Sequence, residues 1–263
     1  MKAIVFLGGG RITSALVAGL RLSGYKAPLV VYDRHPKKLH QLNRQHRILA
    51  EPDLKEAVRR ASLLVIAVGP SSVRQLLRDI GQIDRPVVAI SLAAGIPLQN
   101  LRRQLGPPVQ WARAMPSPAC RTGRGLTAVT FPRSLPAVAR NKIKRFFALV
   151  GSVLEIPERN LDAFTVTYSC SHGYHALATL AGAAQRIGLD RKNALISAAH
   201  ALADGILSWR EGNVSLKELL REAATPGGIA ATVMDAMDQA GYQRMVEQAL
   251  RAGVARAKAN ANG

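Results

Sequence analysis

Residues 2–13, KAIVFLGGGRIT, decide the fold class of this 263-residue chain. Lys2–Leu7 is an apolar run of strand length, three glycines at 8–10 interrupt it, and a helical pattern follows over Arg11–Leu22. A strand, a glycine turn and a helix at this spacing are typical of the first unit of a doubly wound parallel sheet.

Three further apolar runs continue the strand pattern through the first part of the chain. They are Leu29–Tyr32, Ser62–Val68 and Pro86–Ile90, and each is followed by helix-like sequence. Near-continuous apolar strands are buried on both faces, which is typical of a parallel sheet covered by helices. We therefore predict an α/β fold whose N-terminal part, residues 1–157, is a doubly wound Rossmann domain.

The strand pattern stops after Gly151–Pro157, and the rest of the chain is rich in Ala and Leu with helix-length segments between glycines. We predict an all-helical domain over residues 158–263. This domain is short and rich in small apolar residues, which is typical of helices buried against a second copy, so we expect a homodimer or a higher homo-oligomer through it. The Ala/Asn tail Lys258–Gly263 is expected to fray.

Charge divides the chain in the same way. The formal net charge is +19, and residues 1–155 carry 25 basic and 7 acidic side chains, whereas residues 156–263 carry 11 and 10. A basic first half is suited to a phosphorylated cofactor or to a polyanion. The chain has no zinc-finger or RNP-like pattern and no long basic run, so an Arg-rich solvated surface is favoured over a nucleic-acid site.

Other classes of protein are excluded by simple counts. No apolar run approaches the roughly 18 residues that a transmembrane helix needs, and the first seven residues lack the apolar core of a signal peptide. Two cysteines, Cys120 and Cys170, are too few for a disulfide framework or a zinc site. We therefore predict a cytoplasmic protein with no membrane contact and no metal.

The glycine turn is a candidate dinucleotide site. Gly8 and Gly10 occupy the first two glycine positions of the G-x-G-x-x-G/A fingerprint, and Thr13 stands at the third small position. Such a turn lets the pyrophosphate approach the backbone at a helix N-terminus. The cofactor contacts predicted here are Gly8, Gly9, Gly10, Arg11 and Ile12.

The segment after the second strand addresses the choice of cofactor. Asp33 stands where an acidic residue holds the ribose 2′-hydroxyl of NAD, whereas Arg34, Lys37 and Lys38 suit the 2′-phosphate of NADP. The excess of basic side chains favours NADP with Arg34 as its ligand, and NAD stays the alternative.

Three more loops follow predicted strands at the end where an open parallel sheet binds ligands. Their small and proline residues allow the backbone to lie close to a cofactor. The cofactor contacts predicted in these loops are Val68, Gly69, Pro70, Ala93, Ala94, Gly95, Met115 and Pro116.

Several motifs in this order resemble the pyrroline-5-carboxylate reductase family over nearly the whole chain. They are the N-terminal Gly-x-Gly turn, AVGP at 67–70 (family AVKP), SLAAGIP at 91–97, RAMPSPA at 113–119 (family RxMPNTPA), GLTA at 125–128 and TPGG at 225–228 (family SPGG). The resemblance implies reduction of a cyclic imine to proline with NADPH or NADH, in proline biosynthesis. It also implies dimerisation through a helical C-terminal domain that completes the active site.

The resemblance also assigns a substrate region, in which this chain departs from the family. Ser117 replaces a family Asn, Ala230 replaces a Thr whose hydroxyl contacts the substrate amine, and YSCSHGY at 168–174 aligns with SGSGPAY. The residues expected to bind substrate are Ser117, Ser169, Ser171, Gly227, Gly228 and Ala230. The catalytic candidates are His172, because an imidazole can deliver a proton near neutral pH, Tyr168 and Thr225.

Three functions of different classes stay open on the sequence. The first is reduction of pyrroline-5-carboxylate with NADPH. The second is a cofactor-binding divergent paralogue with another imine substrate or a regulatory role. The third is a protein that binds nucleic acid or another partner through the basic half.

Overall fold

The structure is a computed structural model that describes residues 3–168 and 170–262. The described residues form an eight-stranded sheet in the order β3-β2-β1-β4-β5-β6-β7-β8. Its strands are β1 (Ala3–Leu7), β2 (Leu29–Tyr32), β3 (Leu49–Ala50), β4 (Ala61–Ile66), β5 (Val87–Ser91), β6 (Val109–Pro116), β7 (Gly125–Thr130) and β8 (Gly151–Glu155).

Strand pairing confirms the predicted doubly wound fold. All neighbouring strands pair in parallel except β6 and β7, which are antiparallel. The strand order reverses between β1 and β4, and ligands of open α/β sheets bind in the crevice at such a switch point. One row of residues crosses five strands: Tyr32, Leu7, Ile66, Ser91 and Arg113. The loops after β1, β2, β4 and β5 therefore all begin at the same edge.

Helices cover both faces of the sheet. They are α1 (Arg11–Leu22), α2 (Pro36–His46), α3 (Leu54–Arg60), α4 (Pro70–Ile80), α5 (Leu98–Gln104), α6 (Ala137–Ala148) and α7 (Glu158–Thr167), with a 3-10 turn at Pro118–Thr122. One apolar core contains Leu77 and Trp111, and the core on the opposite face contains Phe6 and Phe147. Burial on both faces explains why the strand sequences are continuously apolar rather than alternating.

The remaining helices are α8 (Cys170–Arg186), α9 (Arg191–Glu211), α10 (Leu216–Ala223), α11 (Ile229–Gln239) and α12 (Tyr242–Ala259). Asp190 caps α9 by accepting hydrogen bonds from the amides of Lys192 and Asn193, and Ser215 with Glu218 forms a capping box at α10. An all-helical second half is thereby confirmed. None of the described helices is both long enough and apolar enough to cross a membrane.

Contacts divide the chain into two units. The first unit is Met1–Tyr168 with Gly253–Gly263, and the second unit is Ser169–Ala252. Helix α7 and the end of α12 thus count with the sheet, while our domain limits of 1–157 and 158–263 follow the change in sequence pattern and stay a prediction. The expectation of a frayed tail is wrong over residues 258–262. There α12 continues into a second 3-10 turn, and the Asn260 side chain donates a hydrogen bond within the first unit.

Candidate functional site

The glycine turn after β1 requires glycine at its first position. Gly8 has a φ of +113°, and a Cβ there would lie 2.7 Å from the Ala67 carbonyl oxygen. The Gly8 amide donates to the Tyr32 carbonyl at 2.8 Å. The turn is therefore fitted against the ends of both strands that neighbour β1, where a side chain would push β1 and β4 apart.

Thr13 closes this turn from the third position of the fingerprint. It is fully buried, and its hydroxyl donates to the Gly8 carbonyl oxygen at 2.5 Å. A glycine or alanine at this position provides close packing in the usual fingerprint. Here the position is filled by a buried threonine, whose hydroxyl adds a hydrogen bond that holds the turn.

Two helix N-termini open at the switch point. Gly10 precedes α1 and Gly69 precedes α4, and neither helix receives a side-chain cap from the described residues. A Cβ on either glycine would meet no described atom within 4 Å. Uncapped amides and the helix dipole favour an anion at these ends. The site therefore fits the pyrophosphate of a dinucleotide.

Asp33, the acidic residue after β2, is occupied within the protein. Its buried carboxylate accepts hydrogen bonds from the Gly9 amide at 2.8 Å and from the His35 amide at 2.9 Å, and the Lys38 ammonium lies 3.7 Å away. Asp33 thus fixes the glycine turn to the end of β2. Arg34 beside it is exposed, so the group presented to solvent here is a cation.

The loop after β5 lies next to β4 at the same edge. The Leu92 amide donates to the Ile66 carbonyl at 2.9 Å, and the Ala93 amide donates to the Ser91 hydroxyl at 3.3 Å. Gly95 has a φ of +76° and is buried like Ala93. The predicted cofactor residues from β1, β4 and β5 are therefore brought to one edge, and their contacts with a cofactor stay predictions.

An ion-pair network around Arg113, in the same row of residues, was missed in the sequence analysis. Arg113 on β6 is 2% exposed, and its guanidinium lies 3.1 Å from a Glu158 carboxylate oxygen and 3.5 Å from an Asp162 carboxylate oxygen. The same Glu158 oxygen accepts from the Leu98 amide at 2.7 Å. An arginine inside an apolar strand and two acids at i, i+4 in the segment that forms α7 are the signal that could have indicated it.

The end of β6 joins two predicted substrate-site residues. The buried Ser117 hydroxyl accepts from the Ala119 amide at 3.2 Å and lies 3.0 Å from the Tyr168 hydroxyl. The Tyr168 hydroxyl also accepts from the Leu126 amide at 2.7 Å. Tyr168 therefore links the turn after Met115 and Pro116 to the start of β7. Its catalytic role and the substrate contact of Ser117 stay predictions.

The second unit carries the other predicted substrate residues. Gly227 has a φ of +72°, and a Cβ on Gly228 would lie 2.9 Å from the Thr225 carbonyl oxygen, whose hydrogen bond from the Gly228 amide shapes the turn before α11. Ala230 lies exposed in the first turn of this helix. Thr232, the next hydroxyl along α11, donates to the Gly228 carbonyl.

Three further candidates come at positions 169, 171 and 172 of the sequence. His172 is exposed there. Ser169 lies outside the described residues, and Ser171 lies within the helix but its side chain is not described.

The fold and this site define a class: a two-part protein in which a doubly wound dinucleotide-binding domain precedes a helical domain. A family model described as "NADP oxidoreductase coenzyme F420-dependent" matches residues 3–95, and one described as "Pyrroline-5-carboxylate reductase dimerisation" matches residues 158–260. Together these two matches confirm the resemblance to the pyrroline-5-carboxylate reductase family seen in the sequence.

Individual relatives match this chain over nearly their whole length. Pyrroline-5-carboxylate reductase from Mycobacterium tuberculosis (strain H37Rv) is 27% identical over 285 residues, which cover 98% of this chain and 96% of that protein. The solved Streptococcus pyogenes enzyme has a TM-score of 0.88 at 20% identity, covering 98% of both chains. The Plasmodium falciparum enzyme, solved with NADP bound, has a TM-score of 0.87 at 20% identity, covering 99% of this chain and 98% of that one. These two structures share the fold.

Proposed function

We propose that this protein is an oxidoreductase that reduces the cyclic imine pyrroline-5-carboxylate to proline with NADPH. The observation that carries the proposal is the open glycine turn between two uncapped helix N-termini, in a chain that matches reductases of this name over almost its whole length. The proposed place of the reaction is proline biosynthesis in the cytoplasm.

The first unit supplies the cofactor site in this proposal. The amides of Gly10, Arg11 and Ile12 hold the pyrophosphate, and Gly8 and Gly9, whose amides bond Tyr32 and Asp33, let the backbone lie close to it. The loops after β4, β5 and β6 line the nicotinamide end. When bound, the cofactor supplies a hydride to the carbon of the C=N bond. NADPH is favoured over NADH because Asp33 is engaged by the Gly9 amide, which leaves Arg34 to receive a 2′-phosphate. NADH stays the alternative.

Most of the proposed substrate residues belong to the second unit. Backbone amides at the start of α11, after Gly227 and Gly228, hold the substrate carboxylate as an anion at a helix N-terminus. His172 protonates or hydrogen-bonds the imine nitrogen, and the Thr225 hydroxyl is a further donor. In the first unit, the paired hydroxyls of Ser117 and Tyr168 shape the turn after β6.

A second candidate function, reduction of a different cyclic imine, is favoured by one observation. The substrate residues depart from the family pattern: Ala230 offers no hydroxyl, and the Ser117 hydroxyl is already paired with Tyr168. A site that lacks a hydrogen-bond donor handles the ordinary substrate less well. If the changes in the substrate residues have abolished catalysis, the protein is a cofactor-binding protein with a regulatory role.

The proposed assembly is a homodimer, or a larger homo-oligomer built from it, through the helical second half. The support is the match of residues 158–260 to a dimerisation model, together with the apolar side chains that α9 exposes in the single chain. A small-molecule imine is the proposed substrate, and nucleic acid is not a proposed partner.

One assay separates these functions. The purified protein is mixed with NADPH and pyrroline-5-carboxylate, then with six-membered and substituted cyclic imines, and NADPH absorbance is followed. We expect turnover with at least one imine. NADPH binding without turnover of any imine would favour the regulatory role, and neither binding nor turnover would overturn the proposal.

A further inference from the structure

The end of the chain lies against the loop that follows β5. A Cβ on Gly95 would collide with the carbonyl oxygen of Ala257, in the last turn of α12. The Asn260 side-chain amide donates to the Ala94 carbonyl at 3.3 Å. Gly95 and Ala257 are both buried. The backbones of two segments that lie far apart in sequence are therefore in direct contact, and glycine is needed at 95 for this reason as well as for its positive φ.

A second side-chain amide joins the same segments in the opposite direction. Asn100 on α5 donates to the Ala261 carbonyl at 2.9 Å. Asn260 and Asn100 thus each bond a backbone carbonyl of the other segment, and both side chains are half-buried. We call residues 257–261 the C-terminal clamp.

The flanks of the loop are held by other groups. Its start is fixed by the Ser91 hydroxyl and by the Ile66 carbonyl. Its end is fixed by Glu158, which accepts from the Leu98 amide and is itself paired with Arg113. The central residues Ala94 and Gly95 are the ones that the C-terminal clamp contacts.

We propose that the C-terminal clamp positions the Ala93–Gly95 backbone for the cofactor, so that Asn260 and Asn100 act as positioning residues for dinucleotide binding. This inference rests on the proposed function, because it takes the loop after β5 as part of the cofactor site. Small displacements of groups that orient a ligand weaken binding even when those groups do not touch it.

The test substitutes Asn260 by an isosteric group that cannot donate. Asn260→Asp places a carboxylate oxygen against the Ala94 carbonyl, and Asn141→Asp, at an exposed position on α6, is the control with the same change of charge. We expect the NADPH dissociation constant, measured by fluorescence titration, to rise about 3- to 10-fold for Asn260→Asp and to stay within twofold for Asn141→Asp.

Hydrogen exchange provides a readout that does not depend on the cofactor. Without NADPH, the amides of residues 92–97 should exchange faster in Asn260→Asp than in wild type or Asn141→Asp, at an unchanged midpoint of thermal unfolding. Asn100→Asp should reproduce both effects. In the double variant, the loss of free energy of NADPH binding should be smaller than the sum of the two single losses, because both hydrogen bonds hold the same contact.

Two results overturn the inference. One is an NADPH affinity that stays within twofold of wild type, like that of the control, in both Asn260→Asp and Asn100→Asp. The other is unchanged exchange over residues 92–97. If wild type itself binds no NADPH, the proposed function fails and the cofactor role of the clamp fails with it. The exchange data then still decide whether the clamp holds the loop.

Discussion

The chain has two tryptophans, and they show how differently its two units are built. Trp111 in the first unit is 1% exposed, and its indole N–H donates to the Leu105 carbonyl at 2.7 Å. Trp209 in the second unit is 51% exposed on α9. The first unit encloses a core of large apolar side chains within one chain, whereas the second unit leaves many of its large apolar side chains exposed.

The same contrast holds for the surrounding residues. Among the described residues of the second unit, the buried side chains are those of Ala181, Ala194 and Ala198. Large side chains on its helices are exposed, among them Leu195, Ile196, Ile206, Leu207, Val233 and Met237. Exposed apolar surface of this extent is typical of a protein interface. The first unit contains a complete core, and the second needs a further surface to bury its own.

The largest expected effect tests the self-sufficient core of the first unit. Trp111→Ala removes a fully buried side chain and its hydrogen bond, and should lower the free energy of unfolding by about 3–5 kcal/mol. Urea denaturation at several protein concentrations measures it. The loss should not depend on concentration, because the core lies within one chain. A loss below about 1 kcal/mol would show that Trp111 is not part of a core buried within one chain.

The next effect tests the incomplete surface of the second unit. Ile206 is 55% exposed in the single chain. If the interface covers it, Ile206→Glu would bury an unpaired charge and raise the dimer dissociation constant on the order of 100-fold. Light scattering over a concentration series should show a dimer for wild type and a monomer for this variant. Val138→Glu, at an equally apolar exposed position of the first unit, should stay dimeric. A monomeric wild type would contradict the proposed assembly.

A third effect tests the proposed cofactor site of the first unit at Arg34, the cation after β2. Arg34→Ala removes the proposed partner of the 2′-phosphate and should weaken NADPH binding by about 1.5–3 kcal/mol, with little effect on NADH. Titration with both cofactors measures it. Arg44→Ala, the same change at an exposed position of α2, is the control. Equal losses for both cofactors would mean that Arg34 does not recognise the 2′-phosphate.

The smallest effect tests the proposed substrate residues of the second unit. Ala230→Thr restores the hydroxyl of the family pattern and should raise kcat/KM for pyrroline-5-carboxylate about tenfold, the scale of one hydrogen bond. Ala231→Thr adds the same hydroxyl one position later and is the control. His172→Ala should lower whichever imine reduction the protein performs. If none of these changes alters turnover, the assignment of the substrate site is wrong.

The doubly wound sheet and the glycine turn could be predicted from the sequence because their signals are local. Strands β1, β4 and β5 are buried on both faces, so each carries a continuous apolar run that can be recognised without knowledge of its neighbours. Gly8 lies at a backbone angle that other residues rarely adopt. The second half could likewise be predicted as helical from its composition and caps.

Only the tertiary structure decided which distant groups these elements bring together. Asp33 has the sequence position of a ribose ligand, yet it bonds the amide of Gly9, 24 residues away. Arg113 pairs with Glu158 across 45 residues, and Asn260 reaches Ala94 across 166. Propensity and periodicity act over a few residues, whereas these partners are chosen when the sheet and its helices pack and desolvate their polar groups. The sequence alone therefore determined the frame of the site, and packing determined which side chains hold it in place.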